Sequence, residues 1–205
     1  MNNSNSTINL TQQTDSLKLD TTKKNKLWAS SNKPYIDPFS LSVFQRILLT
    51  TNGTVTDILE AYLFEQIQLV KISEKSIDTE HDFPTVQIEK GDPTIERSIL
   101  LRGKISRRNF IFAHTVVFVN NLDERFKQEL LNTNTPIGKL WLEQRVENFK
   151  EITDSGKEPA QELANYFCIE PDENLLFRTY VVYSLAKPTM IITEKFPESY
   201  FLQAF

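Results

Sequence analysis

The chain has 205 residues, 40% of them hydrophobic and 11% aromatic, enough apolar matter for a core and too much for disorder throughout. Five glycines leave no Gly-rich dinucleotide fingerprint or phosphate loop, and one cysteine with two histidines excludes a spaced zinc, haem or iron–sulfur ligand set and an internal disulfide. A net charge of −4 argues against a nucleic-acid surface, no run approaches the roughly 18 to 20 apolar residues of a membrane span, and no secretory pattern opens the chain, which reads as cytoplasmic.

Residues 1–33 are rich in Asn, Ser, Thr, Gln and Lys, with leucines too sparse to define a face, and are expected to form a disordered tail. From Pro34 to Phe205 regular patterning with short breaks predicts one domain. Ser40–Leu49 has helical spacing. Thr51-Asn52-Gly53-Thr54 reads as a turn in which Asn-Gly supplies positive φ. Thr56 is the expected N-cap of a helix through Ile67, with Asp57 in its first turn, followed by strands at Gln68–Ile72 and near Thr85–Glu89. Two longer strands come next. One places Ile95, Arg97, Ile99 and Leu101 on a single face, the other Phe110, Phe112, His114, Val116 and Phe118. Helices are expected at Asp123–Leu131 and from Pro136, capped by Thr135, then a strand at Val146–Ile152 and a helix from Pro159 to Phe167. The chain closes in a hairpin, Leu175–Ser184 and Thr189–Phe196, with Arg178 and Glu194 each among apolar neighbours. Hairpin connections with isolated helices favour an α+β fold, a mainly antiparallel sheet with helices packed against it.

Arg97, Arg178 and Glu194 call for explanation, because a charge facing an apolar layer is costly unless paired. One reading is structural: Arg97 pairs with Glu194 or another carboxylate, or snorkels at a sheet margin. The other is a small enclosed cavity in which Arg97 grips a carboxylate ligand and Glu194 serves its hydroxyl-bearing end. Pattern alone leaves both open. His114 among phenylalanines reads first as a core histidine, and Cys168 as a small buried hydrophobe. Arg107-Arg108 fits a solvated hairpin tip, and Glu143, Glu147 and Glu151 fit a solvent face.

The ordered set Thr51-Asn52-Gly53-Thr54-Val55-Thr56, Glu96-Arg97-Ser98-Ile99-Leu100-Leu101, Ala113-His114-Thr115-Val116-Val117, Thr135-Pro136-Ile137-Gly138, Leu176-Phe177-Arg178-Thr179-Tyr180 and Thr193-Glu194-Lys195-Phe196-Pro197 resembles the chorismate pyruvate-lyases. The likeness runs from about Phe44 to Phe201 and is nearest the branch of cyanobacteria, plastids, archaea and mycobacteria. It implies an antiparallel sheet with an internal ligand cavity and conversion of chorismate to 4-hydroxybenzoate, a quinone head-group precursor, and pyruvate, without cofactor. By position, Arg97 would hold the ring carboxylate and Glu194 the opposite end of the ring, as a neutral acid donating toward the departing ether oxygen. Val55, Ile137 and Gly138 would line the cavity, and Arg178 would support or reach the enolpyruvyl carboxylate. Ala113-His114 stands where a better-known bacterial branch carries Gly-Arg, which brings His114 into the substrate-binding set. A monomer is expected, in the cytoplasm or, if plastid-encoded, the stroma. The alternative is a non-catalytic module of the same fold that binds an aromatic carboxylate.

Overall fold

The computed structural model describes residues 36, 38–80, 82, 86, 88–132, 137–145 and 147–202. The expected tail and the Thr135-Pro136 helix start lie outside the described residues. Helix α1 (Val43–Thr50) opens with a capping box: Gln45 N–H donates to Ser42 Oγ, and Ser42 N–H to Gln45 Oε1. Gln45 is fully buried and also donates to the Glu198 and Tyr200 carbonyls, tying this helix to the chain that leaves the last strand. The turn that follows departs from expectation. Gly53 does not adopt positive φ; its N–H instead donates to Thr51 Oγ1 at 2.9 Å. Helix α2 (Val55–Leu63) begins after Thr54, because Thr56 is spent inside the fold, buried in the helix's first turn.

Strand β1 (Ile67–Asp78) runs longer than its apolar pattern suggests, past a bulge at Lys71–Ser73. The strand expected near Thr85–Glu89 is not formed where it is described: Ile88 makes an isolated bridge, and residues 85 and 87 lie outside the description. Strands β2 (Pro93–Gly103) and β3 (Asn109–Phe118) match their alternation, and Asp123 Oδ1 caps helix α3 (Glu124–Asn132) by accepting from the Arg125 and Phe126 amides. Helix α4 spans Ile137–Glu143 and β4 spans Phe149–Pro159, so Pro159 ends a strand where a helix start was expected. A 3₁₀ turn at Gln161–Leu163 leads into the short α5 (Ala164–Phe167). Cys168 follows it with φ 56° and is exposed, not buried as expected: it terminates that helix in the left-handed region. Strands β5 (Asn174–Ser184) and β6 (Lys187–Pro197) form the closing hairpin around Leu185 and Ala186, both at positive φ, the twist that two-residue hairpin turns require.

The six strands form one sheet in the order β1-β2-β3-β6-β5-β4, with every neighbouring pair antiparallel. The α+β reading holds. Two apolar clusters pack on it. The first joins Phe44, Leu48, Val55 and Leu59 of α1 and α2 to Ile99, Leu101, Ala113, Leu176 and Phe196. The second joins Phe126, Leu130, Ile137, Leu140 and Trp141 of α3 and α4 to Ile95, Val117, Tyr180, Val182, Met190 and Ile192. Among the described residues no helix is long and apolar enough to cross a membrane.

Candidate active site

The strand registers place the charged anomalies between those two clusters. On the helix-covered face, Arg97 lies between Ile95 and Ile99, Arg178 between Leu176 and Tyr180, and Glu194 between Ile192 and Phe196; each has one flanking residue in either cluster. A polar seam therefore crosses the sheet where the two cores meet. Arg97, Arg178 and Glu194 are 2%, 1% and 7% exposed. Strand spacing and rise put the Arg97 and Glu194 Cα atoms ~12 Å apart, two strands over and two residues along.

Glu194 is held from β5. Arg178 Nε donates to its Oε2 at 2.8 Å and Tyr180 OH to its Oε1 at 3.0 Å, while Arg178 Nη1 donates to the Thr51 carbonyl at 2.6 Å. Burial works against the Arg178 charge, but Glu194 and Tyr180 outweigh it and raise its pKa. Burial, then Glu194, push the Tyr180 phenol well above its ordinary value, so it stays a donor. Both Glu194 oxygens thus accept a hydrogen bond from β5.

Arg97 is placed differently. It does not pair with Glu194; Glu74 on β1, its cross-strand neighbour, lies 3.6 Å from its Nε. None of its three nitrogens makes a hydrogen bond among the described residues. Burial lowers its pKa and Glu74 opposes that. A buried guanidinium without acceptors loses hydration that nothing replaces, a cost natural structures keep where a ligand repays it.

A cavity of about 50 Å³ opens on the seam, walled by Thr54, Val55 and Thr56 from above, Ile137 and Trp141 of α4, and Thr115, Lys150, Tyr180 and Glu194 from the sheet. Val55, Ile137 and Glu194 thus line one cavity, and Gly138 follows Ile137 in α4. Arg97 stands behind this wall, across from Thr115. His114 does not join them. It pairs in register with Ser98 on the opposite face of the sheet, its Nδ1 3.2 Å from Ser98 Oγ. Arg97 pairs with Thr115, so by strand parity the adjacent His114 lies on the other face of the sheet from the cavity.

Sequence reasoning missed Lys150, Tyr180 and Glu74. Tyr180 carried a readable signal, two residues beyond Arg178 on one strand face. Lys150 lies inside the expected Val146–Ile152 strand but without an apolar face to set it apart, and Glu74 lies beyond the point where β1 was expected to stop. A larger concavity of about 350 Å³ lies elsewhere, where Tyr62, Phe110 and Phe201 surround Arg108. Its one charged wall residue already lies 3.8 Å over the Tyr200 ring, so the seam, with its cluster of buried ionisable groups, is the stronger candidate.

The profile of the Rv2949c-like chorismate pyruvate-lyases matches residues 49–204, three quarters of the chain and both sides of the seam. The chain belongs to that family. A chorismate pyruvate-lyase of Mycobacterium leprae is 30% identical over 158 residues, covering 76% of this chain and 75% of the relative. One from Mycobacterium tuberculosis is 25% identical over 166 residues, covering 78% and 82%. These relatives support the mycobacterial part of the expected branch; its cyanobacterial, plastid and archaeal part, and with it a plastid location, gains no support from them. PhnF of Mycobacterium smegmatis and its effector domain share the fold at 10% identity, with TM-scores of 0.55 and 0.56 over 72% of this chain. The match spans 64% of the PhnF chain and 90% of the effector domain.

Proposed function

We propose that this family member eliminates pyruvate from chorismate to form 4-hydroxybenzoate. The observation that carries the reading is Arg97: a guanidinium 2% exposed, without a hydrogen-bond acceptor among the described residues, and paired in register with Thr115 of a cavity wall that also holds an anchored carboxylate. In this reading Arg97 leaves Glu74 to take the ring carboxylate in a bidentate pair, and Glu194 accepts from the ring hydroxyl. The ether bond between ring and enolpyruvyl group breaks, a proton leaves the hydroxyl-bearing ring carbon, and the released enol becomes pyruvate. The reaction balances with no oxidant, reductant or cofactor, and aromatisation drives it. What the site supplies is orientation and exclusion of water.

The cavity as it stands has room for a few waters, far short of the roughly 300 Å³ at which small-molecule sites begin, so this reading requires Val55, Ile137 and Trp141 to give way when substrate enters. The reading has residues 34–205 act as a monomer in the cytoplasm, and the product's use as a quinone head group belongs to it as well. Its test is to incubate the purified protein with chorismate and follow pyruvate and 4-hydroxybenzoate together. Equal release of both above the spontaneous rate supports the lyase. No release overturns it, and calorimetric binding of 4-hydroxybenzoate without release would favour the non-catalytic module.

A further inference from the structure

We propose that Lys150 is the second anion anchor of this site and takes the carboxylate carried by the enolpyruvyl side chain. The proposal rests on the lyase reading, since it assigns the half of the substrate that Arg97 and Glu194 leave unheld. Chorismate is a dianion, and a second carboxylate brought unpaired into a buried cavity would cost several kcal/mol even after relaxation. A second cation is therefore required, and sequence position alone offered Arg178 for it. The structure leaves Arg178 little to offer: Nε is committed to Glu194 and Nη1 to the Thr51 carbonyl, and only the buried Nη2 is without an acceptor among the described residues.

Lys150 fits the vacancy on four counts. It lines the same cavity as Glu194 and is 8% exposed. Its Nζ donates to the Gly53 carbonyl at 3.0 Å, which uses one of three N–H groups and aims the ammonium under the α1–α2 turn. Among the described residues no carboxylate makes an ion pair with it, in contrast to Arg97 with Glu74 and Arg178 with Glu194. The Trp141 and Tyr180 rings, 5.2 and 5.8 Å from Nζ, hold it on the cavity side. Burial, with Arg178 adding and Glu194 opposing, lowers its pKa, so an arriving anion would be bound more strongly than by a hydrated lysine. The site then reads as two carboxylate anchors on one face, Arg97 on β2 and Lys150 on β4, toward opposite edges of the sheet, with Glu194 between them on β6.

The deciding experiment compares two ligands that differ in the second carboxylate. Lys150→Met and Lys150→Gln are each assayed for the KM of chorismate and, by calorimetry, for the Kd of 4-hydroxybenzoate. The expected result is a rise of roughly 10- to 100-fold in KM with the 4-hydroxybenzoate Kd within about threefold of wild type, and recovery of most of the loss in Lys150→Arg. A merely structural lysine would weaken both ligands together, and that outcome, or an unchanged KM, overturns the proposal. Should the wild type fail to turn chorismate over, the lyase reading fails on its own. Calorimetric titration of wild type and Lys150→Arg with chorismate and with benzoate then judges Lys150 separately: chorismate binding no tighter than benzoate binding in both proteins overturns it. If neither neutral variant folds, the same two-ligand comparison on those two proteins decides.

Discussion

Replacing Arg97 by Met should make the free protein more stable and the site nearly useless. The side chain is of similar length and apolar, and fills the gap between Ile95 and Ile99 at the junction of the two clusters. Removing a buried charge that makes no hydrogen bond relieves a desolvation cost of several kcal/mol. Against that stands the lost attraction to Glu74, which at 3.6 Å and with 22% of its side chain exposed is worth well under the value of a fully buried pair. A net gain of about 1 kcal/mol follows, which for a domain of this size raises Tm by roughly 2–4 °C. Ligand binding moves the other way: losing one partner of a buried, charge-assisted pair costs about 2–5 kcal/mol, a weakening of at least about 30-fold. Thermal unfolding with and without 4-hydroxybenzoate measures both effects. The expected pattern is a higher Tm for free Arg97→Met and no ligand-induced shift. A Tm lowered by several degrees with ligand affinity intact would make Arg97 a structural ion-pair member and refute the reasoning.

Arg178→Met should do the reverse and destabilise by about 3–5 kcal/mol in chemical denaturation, because it strands the Glu194 carboxylate in the core; a change under about 1 kcal/mol would contradict the pairing. Glu194→Gln, which preserves an acceptor for Tyr180 OH, is expected to lower kcat at least about 100-fold while 4-hydroxybenzoate affinity falls less than about tenfold, and equal losses would leave Glu194 a binding group alone. The alkaline limb of kcat/KM for chorismate should fall below the ordinary lysine value of 10.5, since burial and Arg178 lower the Lys150 ammonium, Glu194 only partly offsetting them. As pH rises through that lowered value the anchor loses its charge, so Lys150→Arg should move the limb upward, and an unmoved limb counts against the assignment. Because Trp141 roofs the cavity, 4-hydroxybenzoate should change its emission in a Trp28→Phe background; constant fluorescence at saturation would mean the roof does not take part.

The sheet centre was legible and its margins were not, for one physical reason. Strands β2, β3, β5 and β6 are buried in the middle and alternate cleanly, so Arg97, Arg178 and Glu194 stood out against apolar neighbours. Strands β1 and β4 are the sheet edges, where charged residues discourage unwanted pairing, and their sequences, Ser73-Glu74-Lys75-Ser76 and Asp154-Ser155-Gly156-Lys157, carry no apolar alternation. Glu74 was lost for that reason, and Lys150, though inside the expected Val146–Ile152 strand, had no apolar face to stand out against. The side of the sheet that His114 faces was not legible because alternation within a strand does not tell which side a face covers; that needs the pairing of Arg97 with Thr115. Thr56 was read as a cap because caps and cavity walls both favour a short hydroxyl residue ahead of an apolar run, and only tertiary packing separates the two.

A crystal structure of the protein with 4-hydroxybenzoate bound tests most directly whether the charged seam between the two cores is the ligand site. The account predicts the ring between the sheet and Trp141, its carboxylate on the Arg97 guanidinium in place of Glu74, its hydroxyl donating to Glu194, and the Lys150 ammonium beside it without a carboxylate. Ligand bound beside Arg108 and Tyr200 instead, with Arg97 still turned to Glu74, would contradict it.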